Sequence, residues 1–338
     1  MFTNNDWLLY GATGRTGTLI AEHAVALGHR PLLAGRDASR LRPLAQRLDL
    51  PWIETDVDEL DRHLGDSRLV LLTAGPFAST SQPVLAACLR AGVHYLDIAN
   101  EIDVVDRVLR TSTSTITAIP AVGFGTVATD GIASWVAAQV PGADRLELLA
   151  MPSTAGSSAG AQASTMLALA GGGRVLRDGA LVRTGLGSSA HRMQTPLGTR
   201  TAVPVPTGDL VVSHRTTGIP NITAHTAMTL HPLVARTALP VLPTLAKAAR
   251  HLPRNARPAP DGPTTYVAGY VWARATARDG RSAEGWLRTG EGYAYTAATA
   301  VATVEAVLAT EPLGATTVTA AFGTEIAFGA GGEIVAAA

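Results

Sequence analysis

Glycine recurs at every third position in Gly11-Ala12-Thr13-Gly14-Arg15-Thr16-Gly17. The chemistry this spacing allows is the binding of a pyrophosphate by backbone amides. Gly11 permits a tight turn, Gly14 lets a phosphate approach the main chain, and Gly17 lets the following helix pack close to a sheet. The free N–H groups and dipole at that helix start favour an anion. Such a loop is informative only between a strand and a helix. Here the apolar run Trp7–Tyr10 precedes it, and Thr16–Leu27 follows with Leu19, Ile20, Ala24 and Leu27 at helical spacing.

About 20 residues further on, an NAD site places Asp or Glu at the end of the second strand to hold the ribose diol. This chain has Gly35-Arg36-Asp37 there. Arg36 offers a planar, permanently charged fork to a 2′-phosphate, and Arg15 adds a second cation from within the loop. Two cations where an anion would stand favour NADP(H). Asp37 is the competing residue, able to take an unphosphorylated diol. Asp56 and Val57, ending the third strand, are expected to flank the adenine. Thr73, Ala74, Gly75, Pro76 and Phe77 follow the fourth strand at the carboxyl edge of the sheet, where the ribose and nicotinamide are expected. The expected cofactor-binding set is therefore Gly11, Ala12, Thr13, Gly14, Arg15, Thr16, Gly17, Arg36, Asp37, Asp56, Val57 and Thr73 through Phe77.

A nicotinamide cofactor performs the hydride step itself, which leaves the protein to hold the acceptor carbon and supply a proton. The donor must stand within hydrogen-bond reach of the acceptor. His191, His214, His225, His231, Tyr266, Tyr270 and Tyr293 are candidates, with His225, His214 and Tyr293 in front; water is an alternative. His214 and His225 frame Ser213–His225, where Gly218 and Pro220 predict a loop that reaches the cleft. Lys247, the single lysine, has no tyrosine four residues before it, which disfavours a Tyr-x-x-x-Lys mechanism. No His/Asp/Glu cluster has metal-ligand spacing and no G-x-S-x-G turn occurs, so no metal or serine-hydrolase site is expected. Cys88 is the only cysteine, which excludes an intramolecular disulfide or Cys-rich zinc site. It reads as a core residue of a helix over Pro83–Ala91.

The elements that must position these groups alternate. Strands are expected at Trp7–Tyr10, Pro31–Ala34, Pro51–Val57, Arg68–Thr73, Val93–Ala99 and Thr115–Val122, separated by helices at Thr16–Leu27, Ser39–Leu48, Asp58–Leu64 and Pro83–Ala91. Leu69, Val70, Leu71 and Leu72 form a fully apolar strand of the kind covered on both faces. The alternation predicts a doubly wound parallel sheet, an α/β Rossmann domain over residues 1–125. The second half reads differently. Arg145–Met151 reads as a strand, Ser153–Gly160 is small and polar before a helix at Ala161–Ala170, and Thr201–Val212 alternates in part. Thr264–Ala277 and Arg281–Thr289 flank Asp279-Gly280, a hairpin signal. These strands predict an α+β domain on a mostly antiparallel sheet over residues 126–290. Thr229–His251, apolar and broken by Pro232, Pro240 and Pro243, has two open readings: a kinked lid over an apolar substrate pocket, or a helical pair packed on the core or in a dimer interface.

Across the 338 residues, Lys+Arg and Asp+Glu number 27 each, so the net charge is zero and nucleic acid is not an expected partner. Met1–Tyr10 lacks the basic and apolar regions of a signal peptide. No apolar run reaches about 18 residues, so no transmembrane helix is expected. A cytoplasmic protein with a small-molecule substrate is expected, and a second copy of the chain is the candidate protein partner.

Several blocks together resemble the saccharopine dehydrogenase-like family, in particular its short bacterial members related to trans-acting enoyl reductases. They are the loop Gly11–Gly17, Ala34–Arg36, the long block Ala74–Glu101, Val122–Trp135 with Gly123, Phe124 and Asp130, the helix start Ser158–Leu167, and Glu291–Leu308 with Gly292, Tyr293 and Thr296. The departures are Phe77 in place of the family's tyrosine, Asn100-Glu101 in place of Gly-Glu, and a missing proline after Gly123-Phe124. The resemblance implies reduction of a C=C or C=N bond by NADPH, on substrates from amino-acid imines to lipid-like enoyl chains. It also implies that residues 291–338 form a helix and tail returning to the first domain. A small, fairly apolar substrate of polyketide or secondary-metabolite type is the leading expectation. A saccharopine-type amino-acid substrate needs arginine clamps for its carboxylates, and Arg183, Arg192, Arg200, Arg215 and Arg236 are scattered. A non-enzymatic NADP(H)-binding sensor or scaffold is the third reading, since fold alone does not prove a reaction.

Overall fold

A computed structural model describes residues 6–151, 171–241 and 268–335. The first half builds β1 (Trp7–Tyr10), α1 (Arg15–Ala26), β2 (Leu32–Gly35), α2 (Ala38–Leu48), β3 (Trp52–Glu54), β4 (Leu69–Leu72), α3 (Phe77–Ala91), β5 (His94–Asp97), α4 (Ile102–Leu109) and β6 (Thr117–Ile119). With β15 (Gly314–Ala315) these strands form one parallel sheet in the order β15-β6-β5-β4-β1-β2-β3. The order reverses at β1, so the carboxyl ends of β1 and β4 border the crevice where such sheets bind ligands.

Every residue of β1, β4 and β5 is buried, because helices cover both faces. Leu8, Tyr10, Val70, Leu72 and Tyr95 face one layer with Val84 and Cys88 of α3. Trp7, Leu9, Leu69, Leu71 and Leu96 face the other, against Ile20 of α1, Leu41 of α2, and Val301 and Val304 of a later helix. Each fully buried aliphatic side chain stabilises the fold by about 1.5–3 kcal/mol. The third strand is shorter than expected. It stops at Glu54 because the Asp56 carboxylate accepts from Val57 N and starts a 3₁₀ turn over Val57–His63.

The second sheet has nine strands. After α5 (Phe124–Ala138) come β7 (Ala143–Met151), β8 (Gly173–Arg177), β9 (Ala180–Thr184), β10 (His191–Met193), β11 (Arg200–Pro204), α6 (Asp209–Thr217), β12 (Asn221–Met228) and α7 (Pro232–Ala238). Then follow β13 (Gly269–Ala277), β14 (Ser282–Thr289), α8 (Gly292–Thr310), β15, α9 (Val318–Phe322), α10 (Glu325–Gly329) and β16 (Glu333–Val335). The main path is β10-β11-β12-β7-β13-β14-β16, with the β8–β9 hairpin joined to β12. Only β12 and β7 run parallel on it, so the sheet is mixed and mostly antiparallel. The β13–β14 hairpin turns at Asp279-Gly280, where the Asp279 carboxylate accepts from Arg281 N.

Two expectations need correction. Thr201–Val212 is strand only to Pro204, then turns into α6. Ser213–His225 is not a loop: α6 runs to Thr217, Gly218 ends it in the left-handed conformation, and β12 starts at Asn221. Of Thr229–His251, the described part is α7 and a 3₁₀ turn at Leu239–Val241. Ala235 of α7 packs on Ala190 and Val203. The Ser153–Ala170 reading, Tyr266 and Lys247 lie outside the described residues. Among those described, no helix is long and apolar enough to cross a membrane.

The last part of the chain serves both sheets. Helix α8 lies along α1, β15 pairs with β6, and β16 pairs with β14.

Candidate functional site

The loop between β1 and α1 is built from close backbone contact. Gly11 has a φ of +89°, a conformation that L side chains rarely adopt, and a Cβ there would sit 2.6 Å from Ala74 N. A Cβ on Gly17 would overlap the Gly11 carbonyl oxygen and lie 2.9 Å from Thr73 Oγ1. That threonine donates to Tyr10 O at 2.9 Å, which fixes the β4 loop against the β1 loop. Gly14 is different. It is the N-cap of α1, no side chain caps it, and a Cβ would meet only the Gly11 oxygen at 3.4 Å. A bare helix start beside an open glycine face fits a pyrophosphate, because its amides and dipole have no competing side-chain acceptor.

On the β2 side the charges sort themselves. Arg36 is exposed at the strand end. The Asp37 carboxylate caps α2, accepting from both the backbone N and the hydroxyl of Ser39. The Ser39 hydroxyl holds its carboxyl below the usual carboxylate range. Arg40, in the first turn of α2, donates from Nη2 to Thr13 O at 2.8 Å. The sequence reading missed Arg40. A second arginine in the first turn of the helix that follows Arg36 is the signal that would have found it. Arg15 goes elsewhere: its guanidinium lies over the Tyr293 ring, 4.1 Å from the centroid, at the start of α8. Asp56 is occupied as the cap of the 3₁₀ turn, with Val57 its first residue.

Three further loops leave the carboxyl ends of β4, β5 and β6. Gly75 and Pro76 are exposed, and Phe77 is buried as α3 begins. After β5, the backbone and side-chain oxygens of Asn100 both accept from Gly208 N at 3.0 Å, and Glu101 bridges to Thr207. After β6, Gly123 caps α5 without a side chain, and Phe124 N donates to Thr296 Oγ1 of α8 at 3.1 Å. Phe124 packs edge-on against Tyr295.

The histidines are built into the second domain rather than presented on a loop. His225 is buried in β12 with Nδ1 3.0 Å from Leu148 O, and its ring stands edge-on to His191. Burial pushes its pKa down to about 4. His214 in α6 has Nδ1 2.9 Å from Ile219 O, and His231 accepts from Leu233 N to cap α7. Tyr270 sits on β13. Among the described candidates, Tyr293 is the one that the fold brings to the glycine loop. Cys88 is buried, and burial pushes its thiol far up. Among the described residues no three His, Cys, Asp or Glu groups converge as a metal site.

A model of the saccharopine dehydrogenase NADP-binding domain matches residues 7–119. The trans-acting enoyl reductase of Mycobacterium leprae is 40% identical over 108 residues, covering 29% of this chain and 26% of that protein. The enzyme of the same name from Mycobacterium tuberculosis H37Rv is 38% identical over 107 residues, with the same coverage. The likeness thus spans about a quarter of those relatives' length. Apo saccharopine dehydrogenase (L-Glu forming) from Saccharomyces cerevisiae matches in fold with a TM-score of 0.61 over 98% of this chain and 100% of that one, at 13% identity. Residues 7–119 therefore match the saccharopine dehydrogenase NADP-binding domain, in a chain that shares the fold of the yeast enzyme along nearly its whole length.

Proposed function

We propose that this protein is an NADP(H)-dependent oxidoreductase that reduces a C=C or C=N bond of a small, fairly apolar substrate in the cleft between its two sheets. The observation that carries the reading is the sorting of charge around the glycine loop. Arg36 and Arg40 stand on the adenosine side, Asp37 is withdrawn into a helix cap, and the amides opening α1 are uncapped. When bound, NADPH supplies the hydride. Arg36 and Arg40 would hold its 2′-phosphate, and the amides of Arg15, Thr16 and Gly17 its pyrophosphate. Arg15, stacked on Tyr293, would close the loop from the α8 side. The Tyr293 hydroxyl is the proposed proton donor.

The similarity of the first domain to trans-acting enoyl reductases supports an enoyl-type acceptor. Several arginines that a polycarboxylate substrate would need are tied to backbone carbonyls: Arg200 to Thr199, Arg215 to Ala315 and Arg236 to Ala190. That favours the less polar substrate. The test is NADPH oxidation with enones, imines, enoyl thioesters and a saccharopine-type imine. Turnover of an apolar enoyl or imine acceptor is expected, with NADPH preferred over NADH. Cofactor binding without turnover on any acceptor would favour a sensor. Calorimetry showing no binding of either dinucleotide to folded protein would end the proposal.

A further inference from the structure

We infer that Asp97 is the positioning residue for the nicotinamide end of the cleft: one buried carboxylate holds the loops after β5 and β6 in the arrangement the cofactor needs. The inference rests on the dinucleotide reading above and concerns a residue that touches neither cofactor nor substrate.

Asp97 ends β5 and is wholly buried. Its Oδ1 accepts from Ala99 N and from Ala121 N, each at 2.9 Å. Its Oδ2 accepts from Tyr95 Oη at 2.6 Å, and that hydroxyl stands 2.8 Å from Ser81 Oγ of α3. Its backbone oxygen takes Val122 N at 2.8 Å. Burial pushes the carboxyl up to about 6, against the pull of the three donors. Taking a carboxylate out of water is costly unless its hydrogen bonds are completed, and here two of the three donors are amides of cleft loops.

Those amides define the walls of the cleft. Ala121 has a φ of +61°, a conformation a non-glycine residue adopts only when its surroundings hold it. The bond from Ala121 N to Asp97 is such a hold. Two residues later Gly123 opens α5, whose first amide, Phe124 N, donates to Thr296 Oγ1 of α8. On the other wall, Ala99 leads directly to Asn100 and Glu101, which join Gly208 and Thr207 of the second domain. A single carboxylate therefore fixes the start of α5 and the strap between domains. In this fold the two mononucleotide halves bind on opposite sides of the switch point. Asp97 lies in the β4–β6 half, whereas the glycine loop, Arg36 and Arg40 serve the β1–β2 half.

The split predicts a split in binding. Calorimetry would compare NADPH with adenosine 2′,5′-bisphosphate, which carries only the adenosine half. Asp97→Ala should bind the bisphosphate within about 2-fold of the unaltered protein but lose about 10-fold or more in NADPH affinity, along with the rise in nicotinamide fluorescence. Asp97→Asn keeps an oxygen for Ala99 and Ala121 and should restore NADPH to within about 3-fold. Equal losses for both ligands, or no loss for either, overturn the inference. Amide exchange on the unaltered protein tests it without any variant. Ala99 and Ala121 should be slowed further by NADPH but not by the bisphosphate, and exchange that ignores NADPH also overturns it. If the unaltered protein binds neither ligand, it is the dinucleotide reading that fails.

Discussion

Both sheets crowd glycines, but against different neighbours. In the parallel sheet the obstacles are mainly backbone: a Cβ on Gly11 would strike Ala74 N, and one on Gly17 would strike the Gly11 carbonyl. In the mixed sheet the obstacles include aromatic rings. A Cβ on Gly285 would lie 2.8 Å from Cζ3 of Trp135, and one on Gly269 2.8 Å from Cε2 of Phe124. Loop backbone pinned by the bonds from Gly11 N to Ala34 O and from Thr73 N to Tyr10 O has little room to move aside, while the half-buried ring of Trp135 can rotate. The first kind of glycine is demanded by the approach of chain to chain and of ligand to chain. The second is demanded by packing between a helix and a sheet, and it tolerates change.

The largest effect that would break this contrast is at Gly17. Gly17→Ala should abolish measurable NADPH binding, a loss of more than about 100-fold by calorimetry. Retained affinity would show that the loop can yield. Next is the mixed sheet's own buried polar group, His225, whose pKa falls to about 4 from an ordinary 6.5. The folded state thus favours the neutral ring. That stabilisation is present above pH 6.5 and is lost as pH falls towards 4, roughly 3 kcal/mol in all. Denaturant titrations of His225→Asn against the unaltered protein should show the difference shrinking across that window. A constant difference would contradict the assignment. Smaller again, Arg36→Ala and Arg40→Ala should each weaken NADPH by about 10- to 100-fold, from charge-assisted bonds of about 1.5–3 kcal/mol, and leave NADH within about 2-fold. Equal weakening of both would remove the 2′-phosphate role. The smallest effect is expected at Gly285→Ala: about 1–2 kcal/mol in denaturant, a shift in Trp135 fluorescence, and unchanged NADPH affinity.

The two halves also differed in how far their sequence could be read. In the first, apolar strands such as Leu69–Leu72 and the spacing of Leu19, Ile20 and Ala24 report burial directly, so periodicity locates the strand, the loop and the helix. In the second, β8, β9 and β10 carry Arg174, Arg177, Arg183, His191 and Arg192, and their short, polar runs resemble loops. Gly218 and Pro220 did mark a turn, but a brief one between α6 and β12, so the histidines on either side belong to regular elements. Asp37 was read as a rival to Arg36 because its capping bond depends on where α2 begins. The role inferred for Asp97 could not be read from side-chain types, since two of its three side-chain partners are main-chain amides, one of them 24 positions away.

The two-residue strand β15 borders the parallel sheet and the three-residue strand β16 borders the mixed one. During synthesis, therefore, neither sheet can complete this edge until Gly314–Ala315 and Glu333–Val335 have been made. A protease cut after Gly290 would uncover a ladder on both at once, and exposed ladders invite pairing with other chains. Expressing either half alone should accordingly yield aggregates rather than an isolated nucleotide-binding module.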